Sequence, residues 1–197
     1  MLLDRRTIFV KERVAVFRIR DTYDLLDPES GATVGIVKEE TQGWARWLRL
    51  LLKKTYLPSR VNVYEREDLP PVVTLRKKPG FPHTTVFVRD GRGRDVGSFK
   101  SKLFTWGGGF RMYDATGQEL GEVKGDWKGW NFRLLDSHGL ELGVITKKWA
   151  GIGRELFTNA DQYVISIGEH AASGPDRAAL LLAAALAIDI VFKEAQG

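Results

Sequence analysis

The sequence predicts a mainly β protein, a barrel or sandwich of roughly ten to twelve strands, with one apolar helix near its C-terminal end. Three observations predict it. A glycine-spaced motif recurs four times, short β-branched and aromatic segments bounded by turn residues fill most of the 197 positions, and a single alanine-rich run is apolar on every side.

The repeat is plainest in GQELGEVKGDWKG, Gly117 to Gly129, and GLELGVITKKWAG, Gly139 to Gly151, which lie 22 residues apart. The same glycine spacing with a following lysine occurs at Gly31/Gly35/Lys38 and Gly93/Gly97/Lys100, and in the last copy Thr146 takes the lysine position with Lys147 beside it. Asp27, Asp90, Asp114 and Asp136 each stand a few residues before the first glycine. A repeat of this period marks stacked or ring-like supersecondary units. One unit reads as two strands and a tight turn, with the aspartate bonding the turn backbone and the first glycine taking positive φ. Phe110 to Tyr113 and Glu119 to Lys124 are such a pair. The second glycine falls inside the following strand, where it weakens pairing unless a bulge or a close backbone approach requires it.

Thr7 to Glu12, Val14 to Ile19, Val61 to Glu65, Val72 to Leu75 and Thr84 to Val88 also read as strands, being short, β-branched or aromatic, and bounded by Pro, Gly or Asp. GRGRDVG, Gly91 to Gly97, reads as a hairpin turn. It lacks the spacing and the following helix of a nucleotide-binding loop.

The C-terminal stretch PDRAALLLAAALAIDIVFKE reads as a helix with Pro175 at its start. Ala178 to Phe192 is apolar but for Asp189, and at 1.5 Å per residue it spans only about 22 Å, short of the hydrocarbon core of a bilayer. Its lack of a polar face means that protein surrounds it, and Ala178, Ala183 and Ala184 help make it thin. A thin rod inside a ring of glycine-bearing strands accounts for both features. Asp189, near the negative end of the helix dipole, is expected to have a structural role with a cationic or water partner.

Composition narrows the function classes. The length and the 43% apolar content suit a single domain over residues 1–197 with one sizeable core. Absence of cysteine excludes a disulfide scaffold, a cysteine nucleophile, thiolate zinc sites and S-palmitoylation. The first residues, MLLDRRTIFVKERV, mix charge into every turn and lack the apolar run of a signal peptide, which points to the cytoplasm. A net charge of +5 and a pI near 9.4 favour an anionic partner, nucleic acid or an acidic membrane.

One segment sharpens that choice. TQGWARWLRLLLKKT, Thr41 to Thr55, reads as an amphipathic helical insertion with Trp44, Trp47, Leu48, Leu51 and Leu52 on one arc and Arg46, Arg49 and Lys53 on the other, flanked by Lys54. Tryptophan beside Arg and Lys on such a helix suits an anionic membrane interface. The alternative is that the apolar arc covers a barrel mouth while the basic arc faces water.

The serial hairpins of D-x-x-G-x-x-L-G type, the run KKWAGIGRELFTNADQYVISI from Lys147 to Ile167 and the ending LAIDIVFKE resemble the phospholipid scramblase family and its LURP-one-related relatives. The resemblance covers most of the chain and is strongest from Phe110 onward. It implies a Tubby-like fold, a closed twelve-stranded β-barrel threaded by a hydrophobic C-terminal helix. It also implies peripheral association with phospholipid membranes and participation in lipid scrambling. Scramblases carry a palmitoylated cysteine cluster, which has no counterpart here, and a calcium segment before the last helix. In the matching stretch, TNADQYVISIGEHAASGPD, Asn159, Asp161 and Glu169 are the obvious oxygen side chains. A dedicated calcium loop alternates several carboxylates. Weak calcium binding is therefore the most this segment predicts, and no other cofactor is expected.

Catalytic signals are thin. His83, His138 and His170 stand in loops or turns without a nucleophile–base pattern, so a non-enzymatic role is expected. The runner-up function is a regulatory or scaffold protein that binds a protein or nucleic acid, with Trp127, Trp130 and Phe132 among basic residues as a stacking surface.

Overall fold

The computed structural model describes residues 1–13, 22–40, 58–78, 83–102, 109–126, 130–147, 162–169, 171 and 174–192. A 3-10 turn at Leu2–Asp4 precedes twelve strands: β1 (Thr7–Glu12), β2 (Thr22–Leu26), β3 (Thr33–Glu40), β4 (Ser59–Tyr64), β5 (Val73–Lys78), β6 (Thr85–Asp90), β7 (Asp95–Ser101), β8 (Gly109–Asp114), β9 (Glu119–Asp126), β10 (Asn131–Asp136), β11 (Glu141–Thr146) and β12 (Gln162–Ile167). The helix α1 (Pro175–Phe192) follows. The expected strand at Val14 to Ile19 and the amphipathic segment Thr41 to Thr55 lie outside the described residues.

Each strand pairs antiparallel with its neighbours in sequence, and β1 pairs with β12 from Thr7↔Ser166 to Lys11↔Gln162, closing the barrel. Closure leaves no sheet edge to protect. Twelve strands also leave an interior wider than side chains alone can fill. The helix fills it. Every residue from Ala179 to Asp189 is buried, Ala183 and Ala184 completely, while Ala178 is half-buried. It shares one apolar core with the inward positions of the strands, such as Val61, Leu75, Val88, Phe99, Phe110 and Phe132. Among the described residues no helix is long and apolar enough to cross a membrane.

The repeat is a hairpin with a bulge. In the Asp90 turn, Asp90 Oδ1 accepts from the backbone N–H groups of Arg92 and Arg94 at 2.9 Å each, and Gly93 adopts φ +79°. The Asp114 and Asp136 turns repeat this pattern, and the Asp27 turn, one residue longer, does so from Glu29 and Ser30. In all four hairpins the register then slips by one residue just before the second glycine. Leu25 faces Gly35 while Leu26 faces Thr33, and the β6–β7, β8–β9 and β10–β11 pairs do the same. The residues left over, Val34, Val96, Leu120 and Leu142, are apolar and pack into or against the core.

What approaches the second glycine is chiefly the next strand. A Cβ on Gly35 would lie 2.8 Å from the Tyr64 carbonyl oxygen, and one on Gly143 would lie 2.6 Å from that of Ser166. Of these four glycines only Gly97 also meets the helix, at 3.0 Å from Leu180 Cδ1. The bulge bends the bulged strand and increases its local twist.

Candidate anion-binding site at the loop rim

Antiparallel connectivity gives the barrel two unlike rims. The four aspartate turns, the β4–β5 connection and the start of α1 lie at one, the turn rim. The β3–β4, β5–β6, β7–β8, β9–β10 and β11–β12 connections leave and re-enter at the other, the loop rim, toward which α1 runs.

On the outer wall, β4 to β7 form a groove of about 390 Å³ that runs from Pro58 and Lys78 near the loop rim to Thr74, Arg89 and Asp95 near the turn rim and is lined between by Arg60, Arg76, Lys77 and Phe87. The strand period builds it. Val73, Leu75 and Lys77 point inward on β5, so Thr74, Arg76 and Lys78 point outward, and on β6 Phe87 stands between inward Val86 and Val88. Register then aligns Arg60 with Arg76 and Arg76 with Phe87 across three strands. Directly opposed like charges destabilise a sheet. Phe87, 41% exposed, adds an apolar surface beside them.

Elsewhere on the outer wall several cations are neutralised. Arg111 pairs with Glu119 at 3.7 Å and Arg133 with Glu141 at 2.5 Å, Lys102 and Lys124 share Glu122, and Arg13 and Lys38 meet Glu67. Between the two lysines, Glu122 is held below the usual carboxylate range, their hydrogen bonds outweighing the opposing effect of burial. In the groove Arg89 Nε bonds Asp95 at 2.8 Å, but among the described residues Arg60, Arg76 and Lys78 have no carboxylate partner. Exposed arginines beside an aromatic ring, in a concave wall, can hold a phosphate together with an apolar group.

The interior also turns polar toward the loop rim. Glu39, Ser59 and Lys77 occupy inward positions on three successive strands, and Asp189 lies buried near the end of the helix. Tyr163 is buried, and among the described residues its hydroxyl has no hydrogen-bond partner. Burial pushes its phenol well above the ordinary value, and the carboxylates of Asp189 and Glu12 push the same way. Trp130, at φ +45°, stacks on Tyr163 with ring centroids 5.3 Å apart, and Lys147 Nζ stands 4.5 Å over Trp130.

The candidates from sequence are dispersed. Trp44, Arg46, Trp47, Arg49, Lys53 and Lys54 lie outside the described residues, but the connection that carries them joins Glu40 to Pro58, at the groove's edge. Asn159 and Asp161 also lie outside. Glu169 follows β12 at the turn rim, 3.6 Å from Arg6, so the strand's length of about 20 Å separates it from the start of β12. Among the described residues no three His, Cys, Asp or Glu side chains gather as a metal site. His83 Nδ1 is 2.8 Å from the Ser101 carbonyl, and the His138 backbone serves the Asp136 turn. The stacking surface expected at Phe132 is not on the outside: this ring is fully buried, and Trp130 is half-buried against Tyr163. Conversely, sequence reading passed over Arg60, Arg76, Lys78 and Phe87. Their alternation with buried residues was visible, but their convergence depends on register across separate strands.

A closed twelve-stranded barrel around a C-terminal helix places the protein in the Tubby-like class of folds. The family model described as Scramblase matches residues 79–195, more than half of the chain, and the protein belongs to that family. No curated protein and no solved structure matches it.

Proposed function

We propose that this scramblase-family barrel binds anionic phospholipid membranes peripherally, from the cytoplasmic side, through the basic groove of β4 to β6 and the β3–β4 connection beside it. The observation that carries this reading is the opposition of Arg60 and Arg76, with Lys78 nearby, lacking carboxylate partners among the described residues. Like charges placed together on a sheet cost stability unless an anion offsets them. Lipid phosphates do so. Each basic residue near an anionic surface contributes about 1 kcal/mol, and that contribution is screened by salt. Phe87, with Trp44 and Trp47 of the neighbouring connection, supplies apolar burial that salt does not screen.

The test is co-sedimentation with phosphatidylserine-containing and pure phosphatidylcholine liposomes across a salt series. Replacing Arg60, Arg76 and Lys78 with Gln removes about 3 kcal/mol, on the order of a hundredfold in affinity. Trp44→Ala with Trp47→Ala, and separately Arg46, Arg49, Lys53 and Lys54 replaced with Gln, weaken binding through the connection. If all three variants stay folded and pellet like the wild type, membrane binding does not use these residues. Transfer of a fluorescent lipid between leaflets of reconstituted vesicles separates lipid movement, the activity that the family suggests, from binding alone.

A second reading is favoured by Phe87 alone. An exposed ring among arginines also suits stacking of an unpaired base. Single-stranded DNA in the same salt series distinguishes the two, since a nucleic-acid site would bind it at least as tightly as the liposomes.

A further inference from the structure

The charges of the barrel are segregated along its axis. At the turn rim most cations are tied to carboxylates: Arg5 to Asp27, Arg6 to Glu169, Arg66 to Asp68, and Arg94 to both Asp90 and Asp176, while Arg92 and Arg177 have no ion pair among the described residues. Further carboxylates at that rim, Glu29 and Asp114 among them, have no cation paired with them by distance among the described residues. Toward the loop rim lie Arg60, Lys78 and Lys100, which have no carboxylate partner among the described residues, with Lys147 above Trp130. The carboxylates there include Glu40, Glu122 and Asp126, of which Glu122 is taken up by two lysines. The connection of residues 41–57, which enters that rim, carries four basic side chains and no acidic one. One end of the cylinder is therefore acidic or neutral, and the other basic.

Such a charge dipole has one favourable pose against an anionic surface. A strand of six residues is about 20 Å long, while the Debye length at 0.1 M salt is about 10 Å. With the loop rim in contact, and the strands tilted as in any closed barrel, the carboxylates of the turn rim stand more than one Debye length away and are screened. Laid on its side, the barrel would bring both rims to the surface. We infer, resting on the membrane-binding reading above, that the barrel docks on anionic bilayers upright, loop rim down. It tips toward the β4–β6 wall, because the groove is there and the opposite wall, β10 to β12, presents Arg133 already paired with Glu141. The end of α1 that holds Asp189 then faces the lipid, and the aspartate turns face the solvent.

The chain has no cysteine, so single labels can be placed without background. Three outward sites report the pose: Thr85→Cys at the loop-rim end of β6, Asn131→Cys at the loop-rim end of β10, and Ser137→Cys just past the turn-rim end of that same strand. Each labelled protein is first shown to pellet with phosphatidylserine liposomes as the unlabelled chain does. Quenching of the attached fluorophore by headgroup spin-labelled lipid then gives its depth. The expected order is strongest quenching at Thr85, weaker at Asn131, and at Ser137 no more than with liposomes lacking the quencher. Binding with Ser137 quenched as strongly as Asn131 overturns the upright pose but leaves membrane binding standing. Binding with Asn131 deeper than Thr85 overturns the tilt. Failure of the unlabelled chain to pellet overturns both the pose and the reading on which it rests.

Discussion

Gly143 on β11 stands so close to Ser166 on β12 that a Cβ on the glycine would fall 2.6 Å from the serine's carbonyl oxygen. Real side chains do not tolerate that separation from backbone, so the strands must part if the glycine is replaced. Gly139, four residues earlier in the same repeat, has nothing within 4 Å and needs glycine only for its φ of +82°. Gly143→Ala is expected to destabilise by about 3 kcal/mol and Gly139→Ala by about 1 to 2 kcal/mol. Denaturant midpoints with unchanged slope check the order, and equal costs would mean that close approach is not what the second glycine serves.

Ala183 and Ala184 are completely buried inside the ring of strands. Enlarging either to Leu forces atoms into a filled space, with an expected loss of about 1 to 3 kcal/mol. Thermal or urea unfolding measures it. A midpoint unchanged in both variants is incompatible with a helix enclosed on all sides.

The four turn aspartates set the response to acid. Asp27 is lowered below its ordinary range chiefly by the Ser30 backbone N–H, Asp114 by the Thr116 hydroxyl, and Asp136 by the Leu140 backbone N–H. For Asp90, burial pulls upward but is outweighed by the hydrogen bonds of Arg94 and Arg92. A depressed folded pKa means that the unfolded chain binds more protons as pH falls. The stabilisation is thus fully present above about pH 5 and is lost as pH drops through the folded values, below about 4. Unfolding midpoints from pH 7 to pH 3 should show a plateau and then a decline. Asn at Asp90 and Asp114 together should flatten that decline; an unchanged slope would mean that other carboxylates govern it.

Calcium is expected to bind no more tightly than the millimolar range. Glu169 lies at the turn rim, a strand's length from the position where Asp161 enters β12. Calorimetry with calcium checks this, and micromolar binding abolished by Asp161→Ala would require another set of ligands in the β11–β12 connection.

Much of the fold was legible in the sequence because its determinants are local. An aspartate bonds the backbone of its own turn, glycine alone takes positive φ cheaply, and a helix apolar on every side must be enclosed by the rest of the protein. Thr7 to Glu12 and the hairpins at Asp114 and Asp136 needed nothing from the rest of the chain. The groove was not legible, since Arg60, Arg76 and Phe87 belong to three strands whose alignment is set by pairing around a closed ring. The same holds for the second glycine of each repeat: the sequence marks that a neighbour comes close, but only the register shows it to be a carbonyl of the next strand. The rim to which a charge belongs is likewise a property of antiparallel closure, which brings distant connections together at one end and separates Glu169 from residues few steps before it.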